Sequence, residues 1–305
     1  MTDPLYRTFS SFLREHFGER VRKITLDAGL SCPHRDSERR GGCIYCNARG
    51  SGTGAFSTGM ELKEQIESQM EAMTRRFKAR AFIAYFQSYS NTYAGLDSLK
   101  AIYGAIGPYR RIVGLAVGTR PDCIDGERLE LIGSCAGDRM VWLEYGLQSA
   151  NEKTLALINR GHDVETFIRA VKLTAPFGFR ICAHVIIGLP GEGMDDFIAT
   201  ARLVSSLPVT DIKIHSLYIA RGTELEGMYR RGGFSLMDLE SYAEATGSFI
   251  AHLRKDIVVQ RITGDPHPDE LVAPAWTRDK AGVISAVRRR MESAGIVQGS
   301  LCTGL

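Results

Sequence analysis

The segment VRKITLDAGLSCPHRDSERRGGCIYC, residues 21–46, joins an apolar run to a loop that carries three cysteines. The run Val21–Asp27 predicts a short β-strand. Cys32, Cys43 and Cys46 follow it in the spacing Cys-x10-Cys-x2-Cys. Three thiolates can hold three irons of a cubane [4Fe–4S] cluster and leave the fourth iron open to a small molecule. The segment therefore predicts a metal centre built for chemistry at the end of a strand.

A structural zinc site is the alternative for the same loop. Such a site normally closes with a fourth protein ligand, and His34 lies in the loop to supply one. Gly41 and Gly42, just before the second cysteine, provide turns that residues with a Cβ resist. The loop directly follows the first strand of a strand–helix series, and Tyr45 precedes the last cysteine. Both features favour the cluster.

The composition is that of an ordinary soluble globular protein, with 44% hydrophobic and 24% charged residues in 305. A net charge of +3 is compatible with an RNA partner but too small to indicate one. The seven cysteines are odd in number and form no paired framework, which favours a reducing, cytoplasmic location. No apolar run approaches the ~20 residues of a membrane span, and no signal peptide is apparent.

Six strand–helix units are predicted between residues 22 and 218. The strands are Val21–Asp27, Ala81–Phe86, Ile112–Val117, Met140–Gly146, Arg180–Ile187 and Asp211–Leu217, and the helices are Glu61–Phe77, Leu96–Ile106, Gly126–Cys135, Glu152–Ile158, Val164–Ala175 and Asp195–Ser206. Alternation of this kind predicts an α/β fold with a parallel sheet, and six units are too few for a closed eight-stranded barrel. We expect an open, partial (β/α)6 barrel with its chemistry at the C-terminal ends of the strands.

The chain divides by pattern into a barrel with the cysteine loop, residues 1–218, and a small α+β extension, residues 219–305. The extension is predicted to hold a helix over Leu236–Arg254, a strand over Ile257–Ile262 and a basic helix over Arg278–Glu292. Its arginines, with Trp276 nearby, would suit RNA phosphates and a stacked base. A solvated helix face explains them equally well.

Three stretches carry a resemblance to a known family: LDAGLSCPHRD (26–36), CIYC (43–46) and YFQSYSNTY (85–93). They resemble the radical S-adenosylmethionine (SAM) superfamily, and within it the YhcC/YtqA-type group related to the catalytic subunit of Elongator. The widest superfamily pattern is Cys-x3-Cys-x2-Cys, but the subgroup shares the ten-residue gap seen here. The resemblance covers essentially the whole chain and implies a partial radical SAM barrel.

The resemblance also implies the cofactors and the partners. A [4Fe–4S] cluster held by the three cysteines would bind the amino and carboxylate groups of SAM at its unique iron. Reductive cleavage would then yield methionine and a 5′-deoxyadenosyl radical that abstracts a substrate hydrogen, while the protein binds, orients and excludes solvent. An external one-electron reductase of the flavodoxin or ferredoxin type is expected, and no membrane partner.

Several positions match the family's SAM contacts. Gln87, Ser88 and Asn91 stand where many relatives carry Gly-Gly-Glu for the SAM amino group, Glu144 could serve the methionine end, and Gln148 matches a residue that bonds the ribose. A further set comprises Arg160 for the SAM carboxylate, the backbone of Ile187 and Gly188 beside the adenine, and Tyr45 next to the cluster. The loop Gly118–Asp122 resembles the Elongator-type Thr-Arg-Pro-Asp.

Structural explanations compete with some of these roles. Arg160 and His162 could simply end a helix and favour its dipole. His184 could be a satisfied core histidine. Lys213 and His215 alternate on the sixth strand and point the same way, so they either line the cavity or support it. Glu144 on an apolar strand would be costly to bury unpaired, which favours a functional role.

The sequence thus predicts a radical SAM enzyme. Similarity to Elongator suggests tRNA as the substrate, with modification of a wobble-uridine side chain, specifically from a 5-carboxymethylaminomethyl to a 5-aminomethyl group. A radical SAM enzyme that oxidatively decarboxylates a porphyrinogen-type small molecule is the second hypothesis. A non-catalytic, zinc-binding RNA adaptor is the third. Metal analysis separates the adaptor from both enzymes.

Overall fold

A computed structural model of the chain describes residues 4–36, 41–47 and 54–302. Its strands are β1 (Val21–Leu26), β2 (Ala81–Phe86), β3 (Ile112–Thr119), β4 (Met140–Gln148), β5 (Arg180–Ile187), β6 (Asp211–Ser216), β7 (Ile219–Ala220), β8 (Val258–Arg261) and β9 (Leu271–Ala273). Its helices are α1 (Phe9–Phe17), α2 (Leu62–Phe77), α3 (Leu96–Gly104), α4 (Gly126–Ala136), α5 (Glu152–Leu157), α6 (Val164–Thr174), α7 (Met194–Ser206), α8 (Glu224–Arg230), α9 (Leu239–Ala251) and α10 (Lys280–Ser293).

The main sheet contains seven parallel strands in the order β1-β2-β3-β4-β5-β6-β8. The six predicted strands stand side by side in chain order, so the partial α/β barrel is confirmed. The extension adds a seventh strand, because β8 pairs with β6 from Asp211 to Lys213. The short strands β7 and β9 form a separate antiparallel pair.

Burial on both faces explains why the central strands are so apolar. Every residue of β2 is buried, with the helices packed on its outer face and the barrel interior on its inner face. Aspartates begin several of the covering helices, as where the Asp163 side chain accepts a hydrogen bond from the Thr166 backbone N–H at the start of α6. Phe167, Ala170 and Val171 of that helix then face the core.

The N-terminal helix α1 closes the bottom of the barrel interior. The Val259 N–H of β8 donates to the Arg7 carbonyl at 2.8 Å, which ties the segment before α1 to the last strand of the sheet. Phe12 of α1 packs into a second apolar cluster with Val21 of β1 and Trp142 of β4. The helix thus joins both ends of the open sheet beneath the barrel.

The structure differs from the predicted elements in two respects. The patterns did not predict α1, α8, β7 or β9, which are short and held by contacts with distant parts of the chain. Helix α9 starts at Leu239, later than expected, because the Asp238 side chain accepts a hydrogen bond from the Ser241 N–H and caps it there. None of the helices in the described ranges has the length and apolar character needed to cross a bilayer.

Candidate functional site

The cysteine loop folds back on itself at the C-terminal end of β1. The Arg35 N–H donates to the Cys32 carbonyl at 3.0 Å, and Arg35 forms a bridge with Gly41. A second turn is closed by the Cys46 N–H on the Cys43 carbonyl at 2.9 Å. The three cysteines are thus presented by two turns of one folded loop. The intervening positions 37–40 lie outside the described residues.

Glycine is required at the neck of this loop. Gly41 and Gly42 have φ values of 82° and 89°, in the left-handed region that side chains disfavour. A Cβ on Gly42 would lie 2.9 Å from the Arg35 Nε atom. The prediction that these glycines provide turns is therefore confirmed.

Ile44 anchors the loop to the body of the protein. Its backbone N–H donates to the Ile158 carbonyl at 3.1 Å, and its own carbonyl accepts from the Leu225 N–H at 2.9 Å. The Ile44 side chain is buried in an apolar cluster with Leu155 and Leu217. Leu225 belongs to α8 in the extension, so both predicted parts of the chain hold the residue between Cys43 and Tyr45.

The Cys43 thiol lies in an environment that stabilises its thiolate. Burial by itself would raise the pKa of Cys43. The Arg160 guanidinium, whose Nη1 lies 3.7 Å from the sulfur, outweighs that effect together with hydrogen bonds from His34 and Tyr45, and the thiol pKa falls to about 6. Thiolate is the form that ligates metal, so this cysteine is prepared for that role.

The pKa of the Cys46 thiol is shifted in the opposite direction from that of Cys43. Burial raises the pKa of the Cys46 thiol, and the neighbouring charges of Cys43 and Cys32 raise it further, against the opposing effect of Arg35. The three sulfurs are therefore close enough to influence one another. A bound metal would add its positive charge to that of Arg35 and favour the Cys46 thiolate.

The three loop thiols do not form a compact set of ligand atoms in this structure. Tetrahedral zinc–sulfur bonds of ~2.3 Å place two thiolates ~3.8 Å apart. Among the described residues, the only three potential ligand atoms of His, Cys, Asp or Glu that lie within 4.8 Å of one another belong to Glu144, Cys182 and His184. The three loop thiols, alone or with His34, do not all lie within that distance of one another.

The loop after β2 holds unsatisfied polar atoms at the predicted amino-group position. Ser88 Oγ and Asn91 Oδ1 are buried, and neither has a hydrogen-bond partner within the described structure. Asn91 Nδ2 donates to the carbonyls of Ser88 and Gly118, which fixes the direction of the amide. Ser88 has φ 113° and is thus held in a strained conformation. Buried polar atoms without partners at a cleft are what a polar ligand would satisfy. Gln87 lies beside them, half-buried.

The end of β4 brings Gln148 and Arg160 together over Gly146. The Gly146 carbonyl accepts from Arg160 Nη2 at 2.8 Å, and His162 Nε2 lies 3.2 Å from the same oxygen. A Cβ on Gly146 would approach Gln148 Nε2 to 2.5 Å and Arg160 Nη2 to 2.7 Å. Gln148 itself adopts φ 75°. Arg160 is therefore more than a helix end, because its guanidinium joins the end of β4 to Cys43.

Arg120, which the sequence interpretation mentioned only within the Thr-Arg-Pro-Asp loop, fixes the position of Arg160. Its guanidinium makes a two-pronged ion pair with Asp122, both distances being 2.8 Å, and its Nη1 donates to the Arg160 carbonyl at 2.9 Å. The side chain is 4% exposed. The only sequence signal for this role is the Thr-Arg-Pro-Asp motif, because Arg120 and Arg160 lie forty residues apart in the chain.

The end of β5 presents the predicted adenine segment. The Ile187 side chain lies in the core, and its carbonyl accepts from the Leu217 N–H at 3.0 Å. Gly188 follows with φ 95°, and a Cβ there would lie 3.2 Å from the Met237 sulfur. The glycine is needed for this close approach, while Met237 covers the segment from the extension.

Glu144 lies deeper in the barrel than the predicted SAM contacts around it. It belongs to a buried polar layer on the inner face, which we call the barrel floor: Lys23, Tyr85, Glu144, His184, Lys213 and Gln260. Lys23 Nζ lies 2.6 Å from one Glu144 oxygen, and His184 Nε2 lies 2.9 Å from the other, which Lys213 also contacts. Its role toward SAM remains a prediction, while these partners explain how a buried carboxylate is stabilised.

The electrostatics of the barrel floor follow from its burial. Burial alone would raise the pKa of Glu144, but Lys213 and Lys23 hold that pKa well below its ordinary value. Burial lowers the pKa of Lys213 to about 8, and burial with the Lys213 charge lowers that of His184 to about 4. Burial also holds the pKa of His215, one inward position above Lys213, well below its usual range. Near neutral pH both imidazoles are therefore uncharged.

Lys23, Tyr85 and Gln260 were not singled out from the sequence. The signal that finds them is the period-two pattern of polar residues on otherwise apolar strands, which the sixth strand showed for Lys213 and His215. Applied to β1, the same pattern marks Lys23 as an inward-facing charge. The contacts among these residues depend on how neighbouring strands align in the sheet. The sequence of one strand does not reveal that alignment.

The extension does not present Trp276 for base stacking. The indole packs against Tyr242, with ring centroids 5.1 Å apart, and its Nε1 donates to the Met237 carbonyl at 3.2 Å. Lys280 pairs with Asp265, and Arg290 pairs with Glu244 at 2.7 Å. These partners favour the interpretation of this region as a packed helix with a solvated face.

Comparison with known proteins agrees with the geometry. The model of the Radical SAM superfamily matches residues 32–204, and that of the Radical_SAM C-terminal domain matches residues 209–293. The chain is 34% identical over 299 residues to YtqA of Bacillus subtilis, covering 98% of this chain and 93% of YtqA. It is 35% identical over 298 residues to YhcC of Escherichia coli K12, covering 97% and 95%.

More distant relatives extend the comparison. A tRNA uridine(34) acetyltransferase of Methanocaldococcus infernus is 27% identical over 189 residues, which are 61% of this chain and 34% of that protein. The solved structure of archaeal M. infernus Elp3 with residues 1–46 deleted superposes with a TM-score of 0.73 at 18% identity, over 92% of this chain and 64% of that one. That structure shows the same fold.

Proposed function

Because the chain belongs to the radical SAM superfamily, we propose that Cys32, Cys43 and Cys46 ligate its [4Fe–4S] cluster and that its substrate is the side chain of a tRNA wobble uridine. Membership makes the protein an enzyme that uses a [4Fe–4S] cluster and SAM. Held by these three cysteines, a cluster would allow one-electron reduction of SAM and, through it, radical chemistry on the substrate. The ligand assignment and the substrate are the proposed parts.

The observation that supports the ligand assignment is the position of Arg160 beside Cys43. The guanidinium lies 3.7 Å from the Cys43 sulfur and stabilises its thiolate, which is the form that ligates metal. Three protein ligands leave one iron of a cubane free for SAM. The residues present therefore fit the group.

Residues that follow the C-terminal ends of the strands would bind and orient SAM. Arg160 presents a charged, planar donor for a carboxylate, and Arg120 holds it in place. Ser88 Oγ and Asn91 Oδ1 have unused hydrogen-bonding capacity that an amino group would satisfy. Gly188 is the position proposed to lie beside the adenine, and Met237 of the extension packs against it. Gln148 and Tyr45 complete the proposed set of contacts.

The similarity to tRNA uridine(34) acetyltransferase is what favours a tRNA substrate. The region of similarity covers 61% of this chain, and the Elp3 structure shares the fold. We propose remodelling of a 5-carboxymethylaminomethyl side chain toward 5-aminomethyl. The reaction would take place in a reducing cytoplasm, with an external flavodoxin- or ferredoxin-type protein as the electron donor.

Nucleoside mass spectrometry tests the substrate. We expect tRNA from a strain that lacks the gene to accumulate the carboxymethylaminomethyl form and lose the aminomethyl form. The wild-type gene should restore the profile, and the Cys43→Ala variant should not. A wobble-uridine profile that is identical with and without the gene would contradict the tRNA assignment and return attention to small-molecule substrates.

A further inference from the structure

We propose that the barrel floor, through Lys23 and Lys213 and with His215 directly above it, binds an anionic group of the substrate, of the carboxylate class. The inference rests on the proposed function to the extent that the substrate enters the barrel from the side of the cysteine loop. It adds a second recognition site, separate from the contacts proposed for SAM.

The barrel floor carries an excess of positive charge. Two ammonium groups, Lys23 and Lys213, share a single carboxylate, Glu144. The nearby Asp211 is already paired with Arg180 at 2.8 Å and accepts from Gln260 Nε2 at 2.9 Å. The floor therefore carries one more positive than negative charge. Because a buried charge without a partner is unfavourable, a bound anion would stabilise this layer.

The floor also supplies hydrogen-bond donors. Lys213 Nζ donates to Glu144 and to the Tyr85 hydroxyl, and Lys23 Nζ donates to Glu144 and Gln260, so each ammonium uses two of its three hydrogens in hydrogen bonds. Both ammonium groups also lie over the Tyr85 ring, 4.1 and 4.7 Å from its centroid, and Lys23 lies over Phe9 at 4.9 Å. His215 Nε2 is buried and has no partner in the described structure. These three nitrogens could donate to one anion.

His184 supports this arrangement without binding the anion itself. Its Nε2 lies 2.9 Å from Glu144 and, as the donor to that carboxylate, leaves only an acceptor at Nδ1 in the neutral ring. Its ring lies beside that of His215, with centroids 5.4 Å apart. His184 thus positions Glu144 and His215, while Lys23, Lys213 and His215 face the ligand.

Two side chains of the floor are partly exposed. The side chains of Lys23 and His184 are 17% and 19% exposed, whereas Glu144 is fully buried beneath them. Glu144 lies two residues before Gly146, or ~7 Å along β4, and the Gly146 carbonyl contacts Arg160. An anion on the floor would therefore lie one layer below the cysteine site, with the atoms next to it directed toward that site. A carboxymethylaminomethyl group ends in such a carboxylate.

Bromide provides a direct probe, because its anomalous scattering locates it in a crystal. In crystals of the full chain soaked in bromide, we expect an anomalous peak within contact distance of Lys213 Nζ and His215 Nε2. Lys213→Gln removes the excess charge and should abolish the peak, whereas Lys280→Gln, an exposed lysine paired with Asp265, should keep it. The absence of bromide from the wild-type floor would overturn the proposal.

The Glu144→Gln variant should bind more bromide, whereas Lys213→Gln should bind none. Glu144→Gln removes the negative charge and leaves both lysines, so bromide occupancy should rise above the wild-type value, and this result is informative even if Lys213→Gln fails to fold. Lower occupancy in Glu144→Gln would count against the charge argument.

A soak with saturating SAM in cluster-loaded protein distinguishes the source of the anion. Retained bromide supports a substrate group, and displaced bromide assigns the site to SAM. Because bromide needs no tRNA, a failed nucleoside experiment would leave this result standing.

Discussion

At the residue scale, the proximity of Arg160 and Cys43 links the end of β4 to the cysteine loop. A guanidinium that already stabilises a thiolate is positioned to attract a carboxylate at the same edge. Arg160→Ala should therefore weaken SAM binding by about 1.5–3 kcal/mol, the value of a charge-assisted hydrogen bond. The dissociation constant of SAM measured on cluster-loaded protein checks this prediction.

The control for this variant is Arg169→Ala, which removes an exposed arginine of α6 whose only bond within the described structure is to Thr166. It should leave SAM affinity unchanged. Equal affinities in the wild type and Arg160→Ala would assign Arg160 a purely structural role.

The same contact predicts a change in thiol reactivity with pH. In metal-free wild-type protein the pKa of Cys43 is about 6, so the thiol is mostly ionised at pH 7. Arg160→Ala removes the main stabilising charge and keeps the burial, so the pKa should rise and alkylation at pH 7 should slow. The pH profile of iodoacetamide labelling, read at Cys43 by peptide mass spectrometry, measures the shift. An unchanged profile would contradict the electrostatic account.

Gly161 offers a matched pair of substitutions. Gly161 and Gly178 share nearly the same φ, 72° and 71°, so alanine is strained by a similar amount at both. A Cβ on Gly161 would lie 2.7 Å from the His34 ring, whereas Gly178 has no atom within 4 Å. We expect Gly161→Ala to displace His34, lower iron retention and lower the thermal midpoint more than Gly178→Ala. Equal effects of the two variants would show that His34 need not lie against Gly161.

At the element scale, the cysteine loop depends on Ile44. Ile44→Ala should lower the free energy of unfolding by about 2–5 kcal/mol, as buried isoleucines do, and release the loop from α8. Ile284→Ala on the exposed side of α10 is the control and should cost less than about 0.5 kcal/mol. Urea unfolding measures both. A loss at Ile44 no larger than that at Ile284 would show that the loop is held elsewhere.

Strands and long helices were predictable because their patterns are local. The bounds of β2 and β5 agree with the apolar runs that predicted them, since parallel strands covered on both faces are apolar throughout. Helix α1 was missed although local signals mark it. The Thr8 side chain caps its start, and Gly18 ends it with φ 67°. Its role in closing the barrel depends on the completed sheet.

At the scale of the whole molecule, the sequence predicted which end of the strands carries the candidate site but did not predict the barrel floor. One motif after each strand predicted a single edge of chemistry, because parallel strands end at the same side of a sheet. The barrel floor required the register of six strands, which brings Lys23 and Lys213 to one carboxylate across almost two hundred residues. The contacts of the extension with the cysteine loop likewise follow from tertiary structure, as Leu225 and Ile44 show.

Mössbauer spectroscopy of anaerobically reconstituted, ⁵⁷Fe-labelled protein tests the central claim most directly. The account predicts about four irons and four sulfides per chain, with the signal of one iron changing when SAM is added. Cys43→Ala should lose the cluster and the formation of 5′-deoxyadenosine under dithionite. One bound zinc, or a cluster in which no iron responds to SAM, would contradict the account.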